Sequence, residues 1–250
     1  SSFLDNKIYS QKYFGDLYNF NKEKSIAIYK NYISSMSMIF KDLGININTV
    51  PVLDIIKKNT NKIIGSRSYS NNFKVIKALG SICFKMYKKN KIATVMKHIP
   101  GHGSSSSDSH LTLPIVKTSY KELKRIDFNC FKKINTHFAM TAHILYKNLD
   151  SKNTVTHSKL IIKKIIRNEI GFKGIIISDD IAMKALKYDI FTNAKKSLEA
   201  GCNLVALTSP PEPYITALLF TIVADCEPSK MFNSAADVVT SISLIYNFST

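Results

Sequence analysis

The sequence predicts an α/β fold, a (β/α) TIM-type barrel of parallel strands. Strand and helix patterns alternate along the 250 residues, which is typical of a parallel sheet with helical crossovers. The length suits one such barrel. Polar residues follow four separate strands, which favours a barrel mouth over an open doubly wound sheet, where only the strands at the switch point converge. These residues are Asp54, Lys97–His98, His143 and Asp179.

Apolar periodicity and Gly or Pro breakers predict the individual elements. Residues 1–20 show no clear period. The predicted helices span 21–43, 73–90, 119–134, 158–169, 192–200 and 214–248, the last with a break near Pro228. The predicted strands span 45–54, 92–96, 138–141, 174–178 and 203–207, with polar or Pro-rich loops over 55–72 and 209–213. A full barrel has eight strands, so these five predict a barrel that lacks its first strands. No linker or repeat interrupts the chain, and we expect one domain over 1–250.

The clearest elements illustrate the reasoning. Helix 21–43 places apolar residues at helical spacing and ends at Gly44, a frequent helix C-terminus. The run Ile92–Met96 is continuously apolar, as in a buried strand. Helix 158–169 ends before Gly171, and the three Ile of strand 174–178 follow it.

The charge is strongly positive. The net charge is +17, with 35 basic against 18 acidic residues, and 32 of the basic residues are Lys. Nucleic-acid binding predicts basic residues clustered on one face, whereas here Lys is spread over every predicted helix. The pattern indicates a compositional bias toward Lys, Asn and Ile, and we do not expect a nucleic-acid partner.

The four cysteines are far apart and form no Cys-x-x-Cys pair. Each is expected to be a small buried residue rather than a zinc ligand or disulfide partner, which favours a reducing compartment. The four are Cys83, Cys130, Cys202 and Cys226. We see no signal-peptide pattern and no apolar run of about 18 residues. We therefore expect a cytoplasmic protein without a membrane partner.

The stretch from Lys97 to His110 packs three His, one Asp and one Lys into fourteen residues. A strand leads into it, and its Gly and Ser residues predict a loop. The stretch resembles the family 3 glycoside hydrolases, in particular the bacterial β-N-acetylglucosaminidases of cell-wall recycling. Their pattern is Lys-His-Phe-Pro-Gly-His-Gly, four variable residues, then Asp-Ser-His, and only Ile99 departs from it.

The resemblance implies the catalytic residues. The family's Asp-Ser-His loop carries the general acid/base, which implies His110 supported by Asp108; an imidazole titrates near neutral pH and suits this role. The segment 175–183 resembles the family's Ser-Asp-Asp-Leu-x-Met motif, whose first Asp attacks the sugar, which implies Asp179 as nucleophile. Asp180 is the alternative, and both carboxylates could instead cap a helix.

The resemblance also implies the sugar-binding residues. Arg67 lies in a segment similar to the family's Ile-Gly-x-Arg-Ser-Phe/Tyr, whose Arg contacts sugar oxygens. The Lys97 and His98 pair would bind sugar hydroxyls. Asp54 closes a Pro-Val-Leu-Asp segment that matches the family, where substrate binding and structural support are equally expected. An ion pair with Asp54 is the structural alternative for Arg67.

Two further His are placed outside the site. We expect His143 to support it from behind and His102 to be a loop residue. A metal site from His98, His102, Asp108 and His110 is conceivable, but the spacings cross a Gly/Ser loop that makes a poor metal cage. We therefore predict no metal and no cofactor.

The implied reaction is that of a retaining exo-β-N-acetylglucosaminidase, which releases terminal N-acetylglucosamine from peptidoglycan fragments (muropeptides) through a covalent glycosyl-enzyme. We expect a monomer. The resemblance runs from about residue 14 to residue 208, and nothing matches the family's Asp-Gln-Glu-Gly-Gly stretch, whose Asp binds the sugar. The alternative is a truncated, catalytically impaired protein that binds sugar or is a remnant.

Overall fold

A computed structural model describes most of the chain, namely residues 9–58, 60–61, 64–105, 107–134, 136–208 and 218–221. Its helices are α1 (Gln11–Phe20), α2 (Lys22–Asp42), α3 (Phe73–Lys89), α4 (Tyr120–Arg125) and α5 (Ile190–Ala200), with a π-helix over Ile161–Ile170. Its strands are β1 (Ile47–Asn48), β2 (Ala93–Ile99), β3 (Ile115–Val116), β4 (Phe138–Thr141), β5 (Leu145–Tyr146), β6 (Ile175–Asp180), β7 (Leu204–Thr208) and β8 (Leu218–Thr221). Short 3-10 turns cover Gly65–Arg67, Phe128–Cys130 and Val155–His157.

The main sheet has six strands in the order β1-β2-β4-β6-β7-β8. The neighbours from β1 to β7 pair in parallel, and β8 pairs antiparallel with β7. Helices connect the parallel strands, since parallel neighbours need a long crossover connection, which is usually a helix. The predicted alternation of strand and helix is therefore confirmed. Strands β3 and β5 form a separate parallel pair.

The sheet has two apolar faces. One packs against the helices in the main core, where Met96, Ala139 and Ile176 belong. The other, which we call the inner face, carries the residues one position away in each strand, because successive side chains of a strand point to opposite faces. The inner-face cluster consists of Val95, Phe138, Met140, Ile177, Leu204 and Ala206.

The N-terminal helices pack through aromatic rings. The Phe14 ring of α1 lies 4.4 Å from the Tyr29 ring and 5.1 Å from the Tyr32 ring of α2, centroid to centroid. Ser10 caps α1 by accepting a hydrogen bond from a backbone N–H in its first turn, and Asn21 caps α2 in the same way. This packing holds α1 and α2 together.

The side chain of Gln11 pairs with the backbone of one residue at the sheet edge. Its Nε2 donates to the Val52 carbonyl at 2.8 Å, and its Oε1 accepts from the Val52 N–H at 2.9 Å. Val52 forms a parallel bridge with Lys97 on its other side. Gln11 therefore satisfies the two backbone groups of Val52 that point away from β2.

The remaining element predictions were partly wrong. Helix α1 lies in the stretch where no period was seen; it is short, and its Phe14 ring packs against the aromatic rings of α2. Helix 119–134 ends early, since the chain turns inward to bury Asp127. The segment 218–221 is strand β8 and not helix, because its apolar run pairs with β7. The rest of 214–248, the 209–213 loop, Pro228 and Cys226 lie outside the described residues.

Three cysteines, Cys83, Cys130 and Cys202, are free and buried, which confirms the prediction for these positions. In the part of the chain that the structure describes, no helix is both long and apolar enough to cross a membrane.

Replacing Gln11 by Ala should lower the free energy of unfolding by about 1–2 kcal/mol, because two partly buried backbone groups lose their partner. Urea unfolding at neutral pH measures the change. Lys12→Ala is the control: Lys12 lies next to Gln11 but only joins an exposed i,i+4 ion pair with Asp16, so its loss should be much smaller. Equal losses for the two variants would contradict the role assigned to Gln11.

Candidate active site

The fully buried carboxylate of Asp54 connects three segments of the site. Its Oδ2 accepts a hydrogen bond from His98 Nδ1 at 2.6 Å, and its Oδ1 accepts one from the backbone N–H of His102 at 2.6 Å. The backbone N–H of His98 also points at the carboxylate. Burial raises the pKa of Asp54, but His98 and the His102 N–H outweigh it and hold the pKa below its usual value. Asp54 is therefore an ionised anchor.

His98 extends from Asp54 to the candidate nucleophile. Because a carboxylate only accepts hydrogen bonds, His98 donates from Nδ1 to Asp54. The opposite ring nitrogen, Nε2, lies 4.0 Å from Asp179 Oδ2. The Asp54 contact therefore fixes the ring so that Nε2 faces Asp179.

Both strands that carry the site are irregular at the site. The register of β2 against β4 shifts between Lys97 and Ile99, so simple alternation does not apply to Lys97 and His98. The register of β6 against β7 shifts between Ile177 and Asp180. Such bulges bend a strand and re-aim its side chains, which places polar groups from both strands at one end of the sheet.

Asp179 is kept ionised by its surroundings. Its side chain is 20% exposed. Burial raises the pKa of Asp179. The neighbouring His98, His143 and Lys97 outweigh this effect and hold the pKa below its ordinary value. A carboxylate that attacks a sugar carbon must be unprotonated, and Asp179 meets this requirement at neutral pH.

The neighbouring Asp180 shapes the chain after β6. Its Oδ1 accepts from the Ala182 N–H at 3.0 Å, and its carbonyl accepts from the Met183 N–H at 3.1 Å. The same carbonyl lies 2.9 Å from His143 Nε2. These contacts give Asp180 a turn-forming role, whereas Asp179 faces the His98 imidazole and is influenced by the charge of Lys97.

Lys97 and Arg67 bring positive charge to the same place. Burial lowers the pKa of Lys97 to about 8, and Arg67 lowers it too, while Asp179 and Asp54 oppose the shift. Lys97 Nζ donates to Thr49 Oγ1 at 3.2 Å. Among the described residues, Arg67 forms no ion pair. The alternative prediction of an Arg67–Asp54 ion pair is therefore wrong. Instead, Asp54 pairs with His98.

The predicted acid/base pair forms on the loop after β2. His110 Nδ1 lies 2.9 Å from Asp108 Oδ1, and the backbone N–H of His110 donates to the same oxygen at 2.8 Å. The His110 side chain is 56% exposed. Burial raises the pKa of Asp108, but the combined contacts with His110 outweigh burial and hold the pKa below its ordinary value. The described contacts join these two residues to each other and not to Asp179.

Two buried His complete the surroundings. His143 is bonded at both ring nitrogens, to Thr156 Oγ1 at 2.7 Å and to the Asp180 carbonyl, so it supports the turn behind Asp179. His102 was expected to be an ordinary loop residue, yet it is buried, its ring packs edge-on against His98, and burial lowers its pKa to about 4. The Gly residues on either side of His102 indicate a loop, and for this reason its burial was not predicted from the sequence.

Metal binding was considered for the His and Asp side chains of this region. Among the residues that the structure describes, no group of three or more His, Cys, Asp or Glu side chains is arranged to hold a metal ion.

Residues 13–242 match the model of the glycosyl hydrolase family 3 N-terminal domain. The chain belongs to this family. Its fold prediction is confirmed, since the family's N-terminal domain is a TIM-like (β/α) barrel and the six-stranded sheet is part of such a barrel.

Relatives in this family carry the name β-hexosaminidase. The protein of Nitrosomonas eutropha is 29% identical over 203 residues, which are 79% of this chain and 58% of that protein. A Neisseria meningitidis relative is 34% identical over 174 residues, 68% of this chain and 48% of its own length. NagZ from Neisseria gonorrhoeae, solved with N-trifluoroacetyl-D-glucosamine, is 29% identical, with a TM-score of 0.72 over 78% of this chain and 58% of that one. The chain thus spans about half the length of these relatives.

In Asp179→Asn, the pKa of Lys97 should fall below about 8, because the variant removes an anion that favours the charged ammonium. A titration of the Lys97 side chain by ¹³C NMR measures the change. Asp180→Asn is the matched control, since Asp180 is not among the groups that shift Lys97. An unchanged or raised Lys97 pKa in Asp179→Asn would contradict the described arrangement.

Acid should destabilise the fold through His102. Its folded pKa of about 4 lies below the ordinary value of 6.5, so the unfolded chain binds more protons between these values. Stability is therefore full above pH 6.5 and falls as the pH drops toward 4, by up to about 1.4 kcal/mol per pH unit for this group. Urea unfolding across this range should show a shallower slope for His102→Gln than for the wild type, and parallel curves would refute the assignment.

Proposed function

We propose that the protein is a retaining exo-β-N-acetylglucosaminidase, with Asp179 as nucleophile and His110, supported by Asp108, as general acid/base. The observation that carries the proposal is the setting of Asp179: an ionised carboxylate at the end of β6, faced by His98 Nε2 at 4.0 Å. His98 is in turn locked by Asp54. Family membership supports the reaction class.

In the first step, an Asp179 carboxylate oxygen attacks the anomeric carbon of the terminal sugar. The bond from that carbon to the leaving oxygen breaks, and its electron pair stays on the oxygen, which takes a proton from His110 Nε2. The other nitrogen, Nδ1, is held by Asp108, which stabilises the imidazolium before the transfer. The product is a glycosyl ester on Asp179.

In the second step, His110 acts as a base. It removes a proton from a water molecule, whose oxygen attacks the anomeric carbon while the ester bond breaks and its electron pair returns to Asp179. Two inversions give net retention of the anomeric configuration. The low pKa of Asp179 suits a carboxylate that must also leave.

The cations bind the sugar. Arg67 and Lys97 donate hydrogen bonds to sugar oxygens and His98 Nε2 contacts a hydroxyl group near Asp179, as the similarity to family members implies. The related NagZ was solved with an N-trifluoroacetyl glucosamine, which supports an N-acetylated sugar as the substrate of this chain.

The source of the substrate is a finer part of the proposal. The motif from Lys97 to His110 is similar to that of the cell-wall-recycling members, which supports peptidoglycan fragments as substrate. Free buried thiols at the three described cysteines support a reducing, cytoplasmic location. We propose that the protein acts as a monomer.

Sugar binding without turnover is the second candidate. It is favoured by one observation: the His110 side chain is exposed, and the described contacts do not join the Asp108–His110 pair to Asp179. Titration with N-acetylglucosamine distinguishes the two, since a wild type that binds the sugar but does not hydrolyse glycosides would support this candidate.

Hydrolysis of 4-nitrophenyl β-N-acetylglucosaminide should depend on the two proposed catalytic residues. Asp179→Ala should lower kcat by at least about 10³-fold because it removes the nucleophile. His110→Ala should lower kcat for chitobiose by about 10²–10⁴-fold, because its sugar leaving group needs a proton, and by less for the 4-nitrophenyl glycoside, whose leaving group is less basic. Proton NMR should show the β-anomer of N-acetylglucosamine as the first product. Asp180→Asn is the control and should lose far less. Full activity of both Ala variants, or release of the α-anomer first, would overturn the mechanism.

A further inference from the structure

The loop after β2 carries Asp108 and His110, and we call it the acid/base loop. Its start is hydrogen-bonded to the segment after Asp54. The Gly103 carbonyl accepts a hydrogen bond from Thr60 Oγ1 at 2.5 Å, and the Ser105 carbonyl accepts one from the Asn61 N–H at 3.0 Å. A Cβ on Gly103 would lie 1.9 Å from the Ile55 carbonyl oxygen, so only glycine permits this close approach.

Between these backbone contacts, Ser104 joins a partly buried ion pair. Lys57 Nζ lies 2.8 Å from Asp127 Oδ2, and the Asp127 side chain is fully buried. Ser104 Oγ accepts from Lys57 Nζ at 2.6 Å and donates to Asp127 Oδ1 at 2.9 Å. Glu122 lies at the rim, 3.6 Å from Lys57 Nζ. We call this group the Lys57–Ser104–Asp127 clamp.

The Asp127 carboxylate is buried beside the Lys57 ammonium. Burial raises the pKa of Asp127 above its ordinary value, although Lys57 and the Ser104 hydroxyl oppose this shift. A buried carboxylate without its cation is costly, so Lys57 and Asp127 hold each other in place. Among the loop residues that the structure describes, Ser104 is the one whose side chain both partners bind, and it lies four residues before Asp108.

The far side of the loop has its own anchors. The Ser109 carbonyl accepts from the Ala185 N–H at 3.2 Å, in the segment that follows Asp179 and Asp180. The Pro114 carbonyl accepts from the Leu145 N–H at 2.9 Å. The loop segment that carries Asp108 and His110 is therefore held on both sides. Ser104 binds the Lys57–Asp127 ion pair before it, and backbone hydrogen bonds hold Ser109 within it and Pro114 after it.

We propose that the Lys57–Ser104–Asp127 clamp is a positioning device for the acid/base, which sets where His110 lies relative to the leaving group. The inference rests on the proposed function. Lys57, Ser104 and Asp127 touch no reacting atom in this scheme. They act through the loop, so their loss should impair proton transfer to the leaving group and leave nucleophilic attack by Asp179 intact.

Leaving groups of different basicity separate these two effects. Ser104→Ala removes the loop contact while the Lys57–Asp127 ion pair remains. It should lower kcat/KM for chitobiose, whose sugar leaving group needs a proton, by about tenfold, a part of the full general-acid contribution. The value for 2,4-dinitrophenyl β-N-acetylglucosaminide, whose leaving group departs unprotonated, should stay within about twofold. Ser151→Ala, an exposed serine of another loop, is the matched control.

A second variant guards against misfolding. Lys57→Met/Asp127→Asn removes both charges of the clamp together, and it should show the same selective loss. Its matched control is Lys12→Met/Asp16→Asn, which removes an exposed ion pair of similar length, 2.7 Å, on α1. Equal losses for both substrates, or no loss for either in Ser104→Ala, would overturn the positioning role.

The proposed function and the inference can fail separately. A wild type that hydrolyses neither substrate counts against the proposed function alone. Hydrogen exchange then tests the clamp: the peptide that carries Asp108 and His110 should exchange faster in Ser104→Ala than in Ser151→Ala. Identical exchange in the two variants would overturn the inference.

Discussion

The buried Asp54 carboxylate is the interaction on which the rest of the site depends. It receives hydrogen bonds from the His98 ring, the His98 N–H and the His102 N–H. One anion thereby joins the segment beside β1, the end of β2 and the start of the acid/base loop. Because two of the three donors are backbone groups, the carboxylate fixes the path of the chain as well as one side chain. The orientation of His98 toward Asp179 follows from it.

Within the described part of this basic chain, buried acids are few, and the three at the site and the clamp lie beside basic groups. Asp54 pairs with His98, Asp127 pairs with Lys57, and the partly buried Asp179 faces Lys97 and His98. At three points of the fold, the acids therefore offset the free-energy cost of repulsion between basic groups and of their desolvation. Lys97 shows the limit of this compensation, since its pKa remains lowered to about 8.

The sequence was sufficient for the parts of the structure that follow from local pattern. Polar ends on apolar strands indicated that Asp54, Lys97, His98 and Asp179 converge, and the structure brings these four together. Residues whose roles depend on distant partners escaped prediction. Asp127 lay inside a predicted helix and its partner Lys57 in a predicted polar loop 70 residues earlier, and no local signal connects them. The bulges in β2 and β6 also depend on neighbouring strands, so no local sequence pattern predicts them.

The amide of Gln11 has the same donor and acceptor as a peptide group, and it occupies the position of a neighbouring strand at Val52. Strand β1 lies at one edge of the sheet, and exposed edges are templates for pairing with other chains. With Gln11 bound there, an incoming strand would have to displace a side chain and the helix that carries it. The pairing that holds α1 in place therefore also leaves the Val52 N–H and carbonyl with no free hydrogen-bonding capacity to offer an incoming strand.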